Sequence, residues 1–362
     1  MNTVSLGVMP ISELSLCLWA SLFFMESVIP VAKNPDEFTT RHDPTVEWLL
    51  EPDNPSVRSR TLQDLLDRPI TDSAVVQARS AIQKSPQVTE LLSHQLSDGA
   101  WRGPRGDLWE ERGSVFSLLL LGELGATSSE RTLRALDYLH EHYQLPTGRM
   151  AYRSVDSPRR KENTSTWMWC ITAIILRAAL LLGHTDHPLV QEAIRFLEDT
   201  HEDKGGWHCS VYSSDPAKVR PPNCYMGGIK ALSAFSLIPR DRRSKRLRAI
   251  IKQEAQTCLD SRVHFYRIDP MGQPAIKRAW LKFAFPRYWR SDALEATDVL
   301  TGLGVRDRRI QDAVDLIRSK QQSDGRWLLD FSETKRAWVQ LDEEGAPSKW
   351  VTLRALRTLH NA

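Results

Sequence analysis

The chain has 362 residues, with 48 Lys and Arg against 45 Asp and Glu for a formal net charge of +3. That length suits one large domain or two ordinary ones, and the charge is too small to make the molecule a trap for nucleic acid. Hydrophobic residues make up 41%, enough for a substantial core. The five cysteines are an odd number scattered along the chain, which excludes the disulfide framework of a small secreted domain and suits a reducing, cytoplasmic setting.

In chain order, residues 1–35 come first and contain the apolar run Leu14–Met25. It is too short to span a bilayer, and no Lys or Arg precedes Lys33, so neither a stable membrane span nor the basic start of a secretory signal is expected. Translation beginning near Met25 is equally economical, and the segment is set apart from the single domain expected over 45–362. Helices are then expected over Pro55–Leu66 and Ala74–His94, as starting outer helices.

The next segment, Gln95-Leu96-Ser97-Asp98-Gly99-Ala100-Trp101, recurs as Gln321-Gln322-Ser323-Asp324-Gly325-Arg326-Trp327. A glutamine, an Asp-Gly turn and a tryptophan form punctuation between helices, and its return signals a repeat architecture. Weaker copies occupy 144–150 and 201–207. The turn glycines then fall at 99, 148, 205 and 325, spaced 49, 57 and 120 residues apart, so another copy is expected near 265, within Ser261–Tyr266. Each unit reads as turn, apolar helix, break, amphipathic helix. The apolar helices are expected over Ser114–Leu124, Ser165–Leu182, Tyr225–Leu237, Asp292–Leu303 and Ser348–Leu359. Their amphipathic partners are expected over Arg131–His142, Leu189–Asp199, Ser244–Leu259 and Arg308–Ser319. Basic runs at Arg159–Lys161, 242–248 and 306–309 read as solvated loops and helix ends.

The recurring QxSDGxW signature resembles the QW repeats of squalene and oxidosqualene cyclases, and more broadly the terpene cyclase and protein prenyltransferase superfamily, over about 45–362. The resemblance implies an all-α fold, an α/α toroid of about five to six helical hairpins with inner and outer layers. The N-termini of its inner helices would face a central cavity. It also implies an apolar, isoprenoid-like ligand. Gln95, Asp98, Trp101, Trp207, Gln321, Asp324 and Trp327 would then be clamps between helices rather than catalytic groups.

Chemistry would have to come from the cavity. A cyclase of the hopene-forming branch protonates its substrate with a DxDD motif, which this chain lacks. The nearest acidic set is Asp292, Glu295 and Asp298, spaced to share one helix face. The same residues also read as a capping box, Asp292 with Glu295, plus an Asp298 turned toward an outer-helix arginine. Trp109, Trp167, Trp169, Tyr225, Tyr288, Trp289 and Trp350 stand where a cavity lining is expected. Arg112, Arg290 and Lys349 stand at inner-helix starts, where they would bind a diphosphate or pair with nearby acids. No cofactor is required. Zinc held by Cys209, Cys224 and His208 is an alternative, although fourteen residues between the cysteines match no tight zinc spacing. Three functions remain open: a protein binding or transforming an isoprenoid or other apolar ligand, a catalytically silent scaffold for a protein partner, and a zinc-dependent transferase.

Overall fold

In the computed structural model the described residues are 43–104, 110–151, 153–156, 169–203, 205–207, 224–264, 267–268, 274–275 and 278–362, all within one unit, Pro35–Ala362. The apolar segment 1–35, Trp109, Trp167, His208 and Cys209 lie outside them. Six described helices form an inner layer: α2 (Pro55–Asp64), α5 (Ser114–Leu124), α7 (Trp169–Leu181), α9 (Tyr225–Phe235), α11 (Ala293–Gly302) and α13 (Lys349–Asn361). Outside them stand α1 (Pro44–Leu49), α3 (Ser73–Ile82) with α4 (Pro86–Ser93), α6 (Glu130–Tyr143), α8 (Pro188–Asp199), α10 (Lys245–Asp260) and α12 (Gln311–Ser319). Two two-residue strands, Arg267–Ile268 and Pro274–Ala275, pair antiparallel before α11.

The inner layer closes on itself. α5 packs on α7, α7 on α9, α9 on α11, α11 on α13 and α13 on α2, and Arg60 of α2 donates to the Glu123 carbonyl of α5 at 3.1 Å. This ring is an α/α toroid. Burial follows layer: every residue of α5 is buried, which is why its sequence is apolar almost all round, whereas α6 buries only the face bearing Thr132, Ala135, Leu136 and Leu139. No described helix is long and apolar enough to cross a membrane.

The joints at 95–101, 144–150, 201–207 and 321–327 reuse the same few bonds. Gln95 donates from Nε2 to the carbonyl of Gly99 at 2.9 Å and to that of Arg131 on α6 at 2.8 Å, while Asp98 accepts from the Ala100 N–H. The indole N–H of Trp101 donates to the Leu91 carbonyl at 2.7 Å, ten residues back. Trp207 repeats that bond to Leu197 and Trp327 to Ile317, each again ten residues back. Gln144 donates to Gly148 and Leu189, and Gln321 to Gly325. The backbone N–H of the residue at the tryptophan position then donates to a hydroxyl of the next inner helix: Trp101 to Ser114, Met150 to Thr172, Trp327 to Thr352.

Glycine is required at these turns for two reasons. Gly99, Gly148, Gly205 and Gly325 all have φ between 83° and 92°, and three of them press on the next outer helix. A Cβ would lie 2.6 Å from the Arg134 carbonyl oxygen of α6 at Gly99, 2.2 Å from that of Glu192 in α8 at Gly148, and 2.3 Å from Thr45 Oγ1 of α1 at Gly325. The last turn therefore docks on the first outer helix as each earlier turn docks on its successor. Lys349 reinforces that closure with bonds to Glu51 (2.7 Å) and Asp53 (2.5 Å).

Two expectations are corrected, and the glycine-free fourth joint expected within Ser261–Tyr266 is made differently from the others. The single helix Ala74–His94 is two, because Pro86 lacks the N–H that a continuous helix needs and Ser85 takes extended backbone to cap α4. The helix at Pro55 belongs to the inner layer, so α1 and α2 supply a pair beyond the five units counted from the turns. At the fourth joint no glycine is present, and Arg262 (φ 46°) and Val263 (φ 59°) take the left-handed conformation themselves, with Val263 N–H closing on the Cys258 carbonyl. Trp280 donates to the Val263 carbonyl and stands in for the missing motif tryptophan.

Gly148→Ala meets backbone and a positive φ together, and is expected to cost about 3 kcal/mol. Gly345→Ala, at φ 86° with nothing within 4 Å of the new methyl, is expected to cost only about 1 kcal/mol. Urea denaturation of the two variants measures the difference, and equal costs would remove the packing argument.

Candidate functional site

The ring has two charged poles, set by which half of each inner helix contributes. At the C-terminal halves, Glu123 is held by Arg177 (2.8 Å), and Arg357 grips both oxygens of Asp298 (2.6 and 2.9 Å) while reaching Asp64 (2.7 Å). Arg354 stands 3.6 Å from Asp298. Burial disfavours ionisation of Glu123, but Arg177, Arg354 and Arg60 overcome it and hold its carboxyl at about 2. Asp298 is likewise lowered: burial resists, and the charge and hydrogen bonds of Arg357 win. The partners of Asp298 are on inner helix α13, not on an outer helix as the sequence suggested, because α13 is the ring neighbour of α11.

At the opposite pole, before the inner helices and within their first two turns, five ionisable side chains meet. Asp292 is wholly buried and caps α11, accepting from the N–H groups of Glu295 (2.7 Å) and Ala284 (3.0 Å), and pairs with Arg287 at 2.8 Å. Glu295 receives Lys230 of α9 on both oxygens at 2.9 Å. Arg287 continues to Glu333 at 3.0 Å, and the second Glu333 oxygen accepts from the Tyr288 N–H at 2.9 Å. Asp292 and Glu295 thus share one network, while Asp298, one turn further along α11, belongs to the other pole.

With every group ionised the Asp292, Glu295, Glu333, Arg287, Lys230 set carries one net negative charge in a buried place, and a proton relieves it. Burial raises the Glu333 carboxyl, with Arg287 and Lys230 opposing. Asp292 is also raised by burial against Arg287, and burial lowers Lys230 against Glu295. Glu333 is the member whose side chain keeps 10% exposure, and it lies on the irregular segment between α12 and α13 rather than on a helix. It was absent from the sequence candidates, because that segment offers neither periodicity nor motif.

Aromatic side chains border this pole. Tyr288 is buried against Phe116 of α5 (centroids 4.6 Å) and against half-buried Trp289 (4.5 Å), and Phe285 stacks on Trp350 at 4.1 Å. The Tyr288 phenol is pushed well up by burial, with Glu111, Glu333 and Cys170 adding to the effect. Trp169 and Tyr225 have other immediate neighbours: Trp169 stacks on the motif residue Trp207 at 4.4 Å and packs over Gly227, and Tyr225 donates to the Val263 carbonyl beside Cys258. Arg112 lies over the Trp338 ring at 4.9 Å and its carbonyl accepts the indole N–H, so the 328–347 segment reaches from Arg287 across to the start of α5. Cys224 is the residue before α9, and among the described residues no group of three or more His, Cys, Asp or Glu is placed to hold a metal ion.

No protein-family model matches the chain, and no curated protein matches it. Among solved structures it is similar to type II terpene cyclase MstE from Scytonema, at 16% identity and TM-score 0.42 over 85% of this chain and 87% of that one. A protein from Actinoplanes matches at 16% and TM-score 0.41, covering 85% and 89%. The family 76 glycoside hydrolase Bt3792 from Bacteroides thetaiotaomicron matches at 12% and TM-score 0.45, covering 86% and 84%. These likenesses concern the fold, and two enzyme classes appear among them.

The depressed Glu123 sets a pH window. Its stabilisation is fully present above the ordinary carboxyl value of 4.5 and is lost as pH falls through the folded value of about 2. Urea midpoints are expected to fall steeply from pH 4.5 downward. Glu123→Gln should flatten that decline and cost about 3 kcal/mol at pH 7 by leaving Arg177 unpaired.

Proposed function

We propose that this α/α toroid binds an apolar, isoprenoid-like molecule at the pole bearing the inner-helix N-termini, and that the buried carboxylate cluster there supplies a proton to it. The observation that carries the reading is the five-residue network beside the aromatic wall. Three carboxylates against two cations favour one retained proton, and an alkene or epoxide becomes a carbocation by receiving one. Glu333 is the donor in this scheme, since its carboxyl is raised and partly open. Asp292, held by two backbone N–H donors and ion-paired with Arg287, positions that guanidinium, and Lys230 restrains Glu295. Tyr288, Trp289 and Phe116 offer faces that stabilise a cation. No zinc or other cofactor enters the scheme. The three described cysteines stand outside any disulfide, which suits a cytoplasmic setting.

The test is direct. Tryptophan fluorescence titrated with squalene and with geranylgeraniol reads binding, and gas chromatography with mass spectrometry reads conversion. Saturable quenching and cyclised or hydrated product are expected, with Glu333→Gln lowering turnover about 100-fold while changing affinity less than threefold. Absence of quenching removes the ligand class. Quenching without product removes the acid role and favours a catalytically silent ring, for which the ion pairing of Asp292, Glu295 and Asp298 already speaks.

A further inference from the structure

We propose that a cavity at the C-terminal pole, between α2, α3 and the ends of α5 and α7, binds a small amphiphile with one anionic headgroup. The cavity is about 440 Å³, within the range of ligand sites, and its wall divides by chemistry. Arg60 and Arg79 supply charge, and Ile82, Leu124 and Leu182 supply an apolar side. Gly183 leaves open space, with nothing within 4 Å of where a Cβ would stand.

The two arginines have hydrogen-bonding capacity to spare. Arg60 makes one bond, to the Glu123 carbonyl at 3.1 Å, and Arg79 makes no hydrogen bond or ion pair to any described residue. The carboxylate in the wall, Asp64, is committed to Arg357 at 2.7 Å. Counting this pole, Arg60, Arg79, Arg177, Arg354 and Arg357 face Asp64, Glu123 and Asp298, an excess of two positive charges. The C-terminal ends of α2 and α3 border the cavity together with those of α5 and α7, and at roughly half a charge each they offset that excess, so an anion here would be held by the open donors of Arg60 and Arg79 rather than by net charge. The last turns of α5 and α7 are closed internally, Ala126 N–H to Leu121 and His184 N–H to Ala179, leaving few carbonyls to compete for the guanidiniums. Burial and the neighbouring Arg357 and Arg177 make the Arg60 charge costly, although Glu123 and Asp64 favour it, and an anion would stabilise it. A carboxylate or phosphate satisfies both guanidiniums with paired donors, while the apolar wall takes a short chain.

Isothermal titration of the full chain with octyl phosphate, octanoate, octanol and inorganic phosphate tests the assignment. One or both of the anionic amphiphiles should bind, and the tighter of the two identifies the headgroup. Arg79→Gln and Arg60→Gln should each weaken binding at least tenfold, with the thermal midpoint of Arg79→Gln within about 2 °C of the parent. Octanol or inorganic phosphate binding as tightly as the amphiphiles overturns the proposal, as does unchanged affinity in Arg79→Gln or no binding by either amphiphile.

Discussion

The close approach of a turn to the next outer helix is the constraint on which this ring depends. Glycines at 99, 148 and 325 leave no room for a methyl group against that helix, and Gln95 and Gln144 fix the approach by bonding both the turn and the next helix's backbone. A repeated joint with one geometry imposes one rotation per unit, and a fixed rotation either runs on as a solenoid or closes. Here it closes, because the turn at Gly325 finds α1 where earlier turns find α6 and α8.

Closure determines where charge is affordable. Inner helices other than the half-buried α2 are buried nearly all round, so ionisable residues on them persist only in partnership with a neighbouring inner helix or with the loops that cap them. The result is two buried polar clusters about one helical turn apart along α11, with Arg354 between them. The two clusters differ in balance: at the C-terminal pole the arginines outweigh burial and depress Glu123 and Asp298, whereas at the N-terminal pole burial raises Asp292 and Glu333 and the nearby cations do not overcome it. One architecture therefore gives carboxylates of opposite character, one set kept as permanent anions and the other inclined to keep a proton.

Particular residues mark how far the sequence could be read. The cap formed by Asp292 was legible, because capping depends on neighbours three residues away. The partner of Asp298 was not, because the ring order α11 to α13 skips the intervening outer helix and reverses which layer supplies the arginine. Lys349 reads as a rim cation and is instead a closure bond to Glu51 and Asp53, almost three hundred residues away. Trp169 reads as cavity lining and is stacked on the motif residue Trp207. Glu333 carried no signal at all.

The sequence by itself determined the repeat, the order of inner and outer helices and the joints that fasten them, since all rest on local spacing, turn chemistry and hydrophobic period. Only the tertiary structure decided that α2 completes the inner layer, and which buried charges meet. Ring closure brings together side chains from helices that are distant in sequence, and pairing in a low-dielectric interior depends on distances of a few ångströms that no periodicity encodes.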